Sequence, residues 1–380
     1  MNVAVASLQA TAEDGQVTGV CGQSESLRGL VDLLEEEHRV TVGASAPSPP
    51  WKRILNYRRL GSQLEAADPD VVHLMLPTPN FTWIGELLAK RIDPPVVVQY
   101  NSSVIESTEF LYPSVRPSHL PWLAEKLLVN HSLLTRSMAA IARPRRIRHC
   151  IVSSRFQKRQ LRALGFDVPI SVVPNHSRLE ASTDGRTDAN GSFEDADDRV
   201  TLGYLGHVSP AKGLCDLLDA VGRLDADAAL AVAWSGGGPD PRSLVPAHVT
   251  NVTQYGIVDK GAFFDQLDAI VLPYRFAFGT QIFPNTLLEA IHFETPIITS
   301  RLPYIDELLT DGRESLLFTP GDRTELAAVL ERFVSQPGLR HRLSSAEFGL
   351  PADEDAVRRT LSKIYRTVGA TTETAVQYSS

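Results

Sequence analysis

The stretch from Pro273 to Ala290 reads PYRFAFGTQIFPNTLLEA. It opens inside AIVLPY, residues 269–274, an apolar run that reads as a buried strand. FAFGT then reads as a turn, and FPNTLLEAI resumes with apolar residues at helical spacing. Pro284 suits the first helical position, where the N–H that it lacks has no intrahelical partner. The unit is strand, turn, helix.

The same alternation extends outward in both directions. Downstream, PIITS reads as a strand and ELAAVLERFV as a helix; upstream, VTLGYLG, AALAVAWSG and VTQYGIV read as strands, separated by LCDLLDAVGRL and GAFFDQL. The first half repeats the pattern with VAVASL, RVTVGA, DVVHLML, PVVVQY, CIVSS and ISVVP as strands, and with LRGLVDLLEEE and LAEKLLVNHSLLTRSMAAIA as helices between them. Apolar strands alternating with helices imply parallel sheets covered on both faces, hence an α/β fold. A chain of 380 residues accommodates two doubly wound domains.

The division falls at residues 179–199, LEASTDGRTDANGSFEDADDR, an acidic stretch rich in Gly, Ser, Asp and Asn that reads as a flexible linker. The expected organisation is a first domain over 1–178, a second over 200–352, and a final helix with a frayed tail over 353–380. The net charge of −8 is unevenly spread: residues 1–178 carry 20 Lys and Arg against 16 Asp and Glu, while the remainder carries 17 against 29. Thr135 to Arg162 contains nine basic residues and no acidic one, a surface suited either to phosphates and anionic membranes or simply to water. No aromatic interleaving or nucleic-acid motif accompanies it, so nucleic-acid binding is not expected. The first residues lack the basic start and long apolar centre of a signal peptide, and no apolar run is long enough to span a bilayer. The widely spaced Cys21, Cys150 and Cys215 suggest neither a disulfide framework nor a zinc site. A cytoplasmic location is expected.

In parallel α/β sheets, ligands bind beyond the C-terminal strand ends, so the strand-to-helix turns carry the chemistry. At Gly206 a strand ends, and Lys212-Gly213 leads into a helix, where a lysine serves as a point charge for phosphate. Gly236, Gly237 and Gly238 follow the next strand and permit close backbone approach to a ligand. In the opening stretch, Asn285 and Thr286 offer N–H donors at a positive helix end. Glu289, four residues on, shares a face with Asn285 and can accept both hydroxyls of a ribose. Each feature alone has a plain alternative: an exposed Lys-Gly pair, an ordinary loop, a solvent-facing glutamate. Three such turns in consecutive units weigh against it.

These motifs resemble the GT-B glycosyltransferases of the large retaining family four, which includes bacterial mannosyl-, glucosyl- and N-acetylglucosaminyltransferases. The resemblance rests on G-x-L-G-x-x-x-x-x-K-G, the glycine turn, F-P-N-x-L-L-E-A and T-P-I-I-T in order, and more loosely on TGVCGQSESLRGL, DVVH, VVVQYNSS, IVSSRFQKRQLRALG and VVPN. It implies two Rossmann-like domains facing across a cleft, with the final helix crossing back to the first. It also implies that Lys212 neutralises the donor diphosphate, and that Gly206, Gly237, Phe283, Asn285 and Thr286 line the phosphate and sugar. Glu289 would hold the ribose, the turn at Gly256-Ile257 would lie against the base, and the loop at Gly22 would close from the acceptor side. The implied donor is a UDP-, GDP- or ADP-sugar, used without a metal or other cofactor.

Three reaction-adjacent positions depart from the family pattern. His207 stands where an arginine usually pairs with the diphosphate, Asn101 where a histidine is often found, and Gln281 where the first glutamate of an E-x(7)-E pair usually stands. If that glutamate were a covalent nucleophile, Gln281 would abolish the reaction. In a one-face mechanism the departing phosphate takes the acceptor's proton, and Gln281 instead alters sugar recognition. The expectation is therefore an active transferase, with a non-catalytic sugar-nucleotide binder or a pseudo-glycosyltransferase as alternatives. The expected acceptor is a small soluble metabolite. The basic helices of the first half (WKRILNYRRL and the Thr135 to Arg162 segment) leave open a lipid-linked acceptor at a membrane surface.

Overall fold

A computed structural model describes residues 1–7, 11–13, 16–18, 22–44, 57–104, 120–124, 146–175, 199–225, 227–234, 239–349 and 353–377. Its core is two six-stranded sheets, each parallel throughout. The first comprises β1 (Asn2–Ser7), β4 (Arg39–Ala44), β5 (Val71–Leu76), β6 (Val96–Tyr100), β7 (Ile147–Val152) and β8 (Ile170–Val172), in the order β4-β1-β5-β6-β7-β8. The second comprises β9 (Val200–Leu205), β10 (Ala228–Ala233), β11 (Val252–Tyr255), β12 (Ala269–Leu272), β13 (Ile297–Ser300) and β14 (Ser315–Phe318), in the order β11-β10-β9-β12-β13-β14. β5, β6, β12 and β13 are buried along their whole length, which is why they read as largely apolar runs. β14 is buried likewise, but its short SLLF stretch was not expected as a strand. The fold is α/β with two Rossmann-like units.

Strand order reverses between β1 and β5 in one sheet and between β9 and β12 in the other. Crevices beyond the strand ends open at such points, so the turns after β9 and β12 become the place to look for a ligand.

The helices are α1 (Gly22–Glu35), α2 (Tyr57–Ala66), α3 (Thr82–Ala89), α4 (Arg155–Ala163), α5 (Leu214–Val221), α6 (Lys260–Asp265), α7 (Asn285–His292), α8 (Arg323–Ser335), α9 (Pro337–Ser344) and α10 (Glu354–Gln377). α1 buries Leu27, Leu30, Val31 and Leu34, the i, i+3, i+4, i+7 stripe of an amphipathic helix. α10 runs on to Gln377 and so takes in most of the residues expected to fray. Its Val357, Leu361, Ile364 and Tyr365 join the α1 stripe and Val3 and Val5 of β1 in one apolar cluster, so the end of the chain packs against its beginning. A short antiparallel hairpin, β2 (Thr11–Glu13) and β3 (Gln16–Thr18), was not expected. Asp14-Gly15, a common two-residue hairpin turn, was its signal. Leu179 to Asp198, most of the linker segment, lies outside the described residues.

The α10 contact contains two buried imidazoles. His73 Nδ1 lies 2.6 Å from the Tyr365 hydroxyl, and His38 Nε2 lies 2.8 Å from Ser362 Oγ. Burial lowers the pKa of His73 to about 4, and His38 is lowered also, by burial first and then by the N-terminal ammonium. Since an unfolded histidine titrates near 6.5, the unfolded chain binds more protons as pH falls from there to about 4. Stability is thus complete above pH 6.5 and declines on acidification, by about 3 kcal/mol from fully buried His73 alone at the lower end. Thermal unfolding between pH 7.5 and 4 is expected to show a falling melting temperature, with a shallower fall in His73→Gln.

Candidate active site

The site grows from the turn between β12 and α7. Phe283 holds a left-handed backbone at φ 49°, a costly conformation for a bulky residue, and this swings the chain from the turn into α7. Pro284 adopts the extended geometry of an N-cap, so α7 begins one residue later than its proline suggested, at Asn285. Proline supplies no capping side chain, which leaves the first N–H groups of α7 available to a ligand. Asn285, Thr286 and Glu289 are all buried, and Glu289 is 2% exposed.

Glu289 is ion-paired. Lys260 Nζ, at the start of α6, lies 2.6 Å from Glu289 Oε1 and 3.4 Å from Oε1 of Glu25 on α1. The second oxygen of Glu25 accepts from Asn285 Nδ2 at 3.0 Å. Burial raises the pKa of Glu289, and Lys260 works against that rise. Burial also opposes the charge on Lys260, but Glu289 and Glu25 outweigh it and raise its pKa.

Lys212 approaches from the turn after β9. It is buried, with Nζ 3.4 Å from the Tyr274 hydroxyl and 4.5 Å from the centre of that ring. Tyr274 in turn hydrogen-bonds Thr286, so lysine, tyrosine and the α7 start are linked. Burial lowers Lys212 to about 8, and the Glu289 charge only partly offsets this. The turn itself depends on Gly213 (φ 71°), where a Cβ would lie 1.8 Å from the Pro273 carbonyl oxygen. Below it, Arg275 donates to both oxygens of buried Asp216, locking α5 to the end of β12. His207 lies at the Gly206 turn with its residue surface exposed, and partial desolvation and then the Lys212 charge lower its pKa.

The two halves meet here. Gln281 Nε2 donates to Ser26 Oγ at 2.7 Å. Ser102 Oγ donates to the Thr280 carbonyl at 2.6 Å, the Ile282 N–H donates to the Asn101 carbonyl at 3.0 Å, and Asn175 Nδ2 donates to the Ile282 carbonyl at 2.7 Å. Farther out, Glu307 accepts from the Arg155 and Phe156 N–H groups at the start of α4, both at 2.7 Å. Trp122 stacks on Phe276 and Phe278, and it crowds Gly279 (φ 73°), whose Cβ position lies 3.1 Å from the indole.

The expected residues therefore sort by position. Lys212, Gln281, Phe283, Asn285, Thr286 and Glu289 come together around the α7 start. Asn101 meets the turn through its carbonyl. Gly206 and His207 lie at the adjoining turn, Ile257 is exposed at 51%, and Gly22 is the first residue of α1 rather than part of a loop. Gly237 lies outside the described residues. Lys260, Glu25 and Ser26 were missed, because nothing in their spacing signals that α1 and α6 converge. Among the described residues, no group of three His, Cys, Asp or Glu could hold a metal, and no helix is long and apolar enough to cross a membrane.

Comparison with known proteins matches these two units. Residues 4–176 match the glycosyl transferase 4-like domain, and residues 199–336 match glycosyl transferases group 1. The chain is 26% identical to a phosphatidyl-myo-inositol mannosyltransferase of Mycobacterium leprae, over 92% of this chain and 88% of that one. It is 25% identical to an alpha-D-kanosaminyltransferase of Streptomyces kanamyceticus, but the match spans only 46% of this chain and 47% of that relative. Among solved structures, sucrose-phosphate synthase from Thermosynechococcus elongatus superposes with a TM-score of 0.72 at 16% identity, covering 97% and 99% of the two chains. Anabaena HepE, solved with UDP and glucose, gives 0.65 at 14% identity, covering 97% and 100%. With both of its halves matched in order and the fold shared throughout, the chain belongs to the group 1 glycosyltransferases of GT-B fold.

Proposed function

We propose that the protein transfers a sugar, with retention of configuration and without a metal, from a nucleoside-diphosphate sugar to a small soluble acceptor. The observation that carries this reading is the uncapped start of α7, where buried Asn285 and Glu289 face α1 of the other half. Glu289 accepts the ribose hydroxyls, and the turn at Gly256-Ile257 lies against a uracil, guanine or adenine. Lys212 and the α7 N–H groups stabilise charge as it gathers on the departing diphosphate. In a one-face reaction the acceptor oxygen forms its bond to the anomeric carbon as the bond to phosphate breaks. The leaving phosphate oxygen takes the acceptor's proton, so no protein carboxylate need act as a nucleophile. Gln281 then serves recognition, its amide reaching across to Ser26.

A thermal-shift screen with UDP, GDP and ADP, followed by mass spectrometry of products from the matching sugar donors, tests the proposal. Stabilisation by one diphosphate and a product heavier by one glycosyl unit are expected; sugar-nucleotide binding with no product at all would favour the non-catalytic reading. Gln281→Glu adds a negative charge beside the sugar and is expected to change donor preference in the same panel; an unchanged ranking and rate would remove Gln281 from recognition. A second reading, a lipid-linked acceptor, draws on the long match to the phosphatidyl-myo-inositol mannosyltransferase and on the basic segment that includes Arg146, Arg148, Arg155 and Arg159. Sedimentation with anionic vesicles separates the two acceptors.

A further inference from the structure

A nucleoside diphosphate brings at least two negative charges, and the cations expected to meet them are weak in this protein. Desolvation and Lys212 lower the pKa of His207, and Lys212 is held near 8 by burial, so it is already part-deprotonated in mildly alkaline solution. Lys260 differs: its two carboxylate neighbours keep it cationic. It also stands in the right place. Its ammonium bonds Glu289 on one side, and on the other contacts a carboxylate oxygen of Glu25 whose second oxygen is held by Asn285. Glu25 is thus an oxyanion bracketed between Lys260 and the start of α7. Asn285 is buried, and its Oδ1 has no hydrogen-bond partner among the described residues.

We propose that Lys260 is a donor-binding cation, and that the ribose-diphosphate of the donor replaces Glu25 between Lys260 and Asn285. The inference rests on the donor reading above and adds to it a residue that no motif marks. Lys260 has two roles. It holds Glu289 ionised and fixed through one carboxylate oxygen, leaving the other for a ribose hydroxyl, and it presents its remaining N–H groups to donor oxygens. Glu25 is the exchangeable partner: it belongs to the opposite half, and its side chain is 29% exposed against 2% for Glu289. Donor entry therefore trades a half-buried ion pair across the cleft for contact with a more highly charged group.

Isothermal titration of UDP, GDP and ADP into the full-length protein at low salt tests this. The variants are Lys260→Met, Lys260→Arg, Glu25→Gln, and Glu35→Gln as a control with the same charge change at the exposed far end of α1. For the nucleotide that wild type binds best, Glu25→Gln is expected to tighten binding roughly fivefold while Glu35→Gln leaves it unchanged. Lys260→Met is expected to weaken it about 30-fold and to flatten its salt dependence, with Lys260→Arg retaining most of the affinity. Lys260→Met also strands buried Glu289, so its melting temperature is measured alongside, and Glu25→Gln keeps the test valid if that variant does not fold. The proposal is overturned if Glu25→Gln binds no tighter than Glu35→Gln, or if folded Lys260→Met binds as wild type does. In either case, nucleotide binding by wild type leaves the donor reading standing. No binding of any of the three by wild type or by Glu25→Gln overturns both.

Discussion

Lys212→Ala is expected to lower kcat/KM for sugar transfer about a hundredfold or more while leaving the fold intact. The group removed is a buried ammonium in contact with the hydroxyl and ring of Tyr274, and among the described residues no carboxylate is ion-paired with it. Such a charge costs stability in the resting protein and is useful only when an anion arrives. With Lys212 lowered to about 8, the unfolded chain binds the extra proton between pH 8 and about 10.4, so this group favours folding more as pH rises through that window. Donor affinity moves the opposite way, falling above pH 8 as the ammonium is lost. Two measurements follow. The alkaline limb of kcat/KM in wild type is absent from Lys212→Ala, and the variant's melting temperature at pH 7 equals or exceeds that of wild type. Full activity in Lys212→Ala would remove the residue from its assigned role; loss of activity together with loss of fold would make its role structural.

Gly213→Ala, one residue on, is expected to give the contrary result: stability and activity fall together. The new Cβ would lie 1.8 Å from the Pro273 oxygen, a backbone atom that no rotamer change can move, in a conformation (φ 71°) that alanine adopts at a cost. Strain and overpacking together amount to about 3–5 kcal/mol. Relief requires α5 to separate from the end of β12, and that motion pulls on the Asp216–Arg275 pair and carries Lys212 off Tyr274. A melting temperature lower by about 10 °C is expected. Calorimetry showing an unchanged transition would mean that the close approach of these two turns is not obligatory. The two substitutions, side by side in sequence, thus separate a residue kept for chemistry from one kept for packing.

Most of the fold was legible because parallel strands buried on both faces leave continuous apolar runs, and those runs alternate with helical stripes along nearly the whole chain. The convergence of Lys212, Asn285 and Glu289 was legible for a related reason: they sit on strand-to-helix units whose geometry is local. What could not be read was tertiary. Lys260 and Glu25 are separated by most of the chain, and only the folded arrangement of α1 against α6 makes them partners. The state of Lys212 was equally hidden, since a lysine beside glycine looks exposed in sequence, whereas burial against Tyr274 sets its pKa. Gln281 stands where a carboxylate pair is expected, and its hydrogen bond to Ser26 of the other half could not be read from spacing.

The turn from Thr280 to Ile282 belongs by sequence to the C-terminal half, yet three of its main-chain groups are held by Ser102, Asn101 and Asn175 of the N-terminal half. Its shape is therefore common property of both halves. A chimera that joins this C-terminal half to the N-terminal half of a relative inherits the helix and its charges but not the curvature of that turn. If Gln281 recognises the sugar as proposed, sugar choice is then not a portable trait of one module. Exchange of halves between family members is expected to transmit nucleotide preference more faithfully than sugar preference.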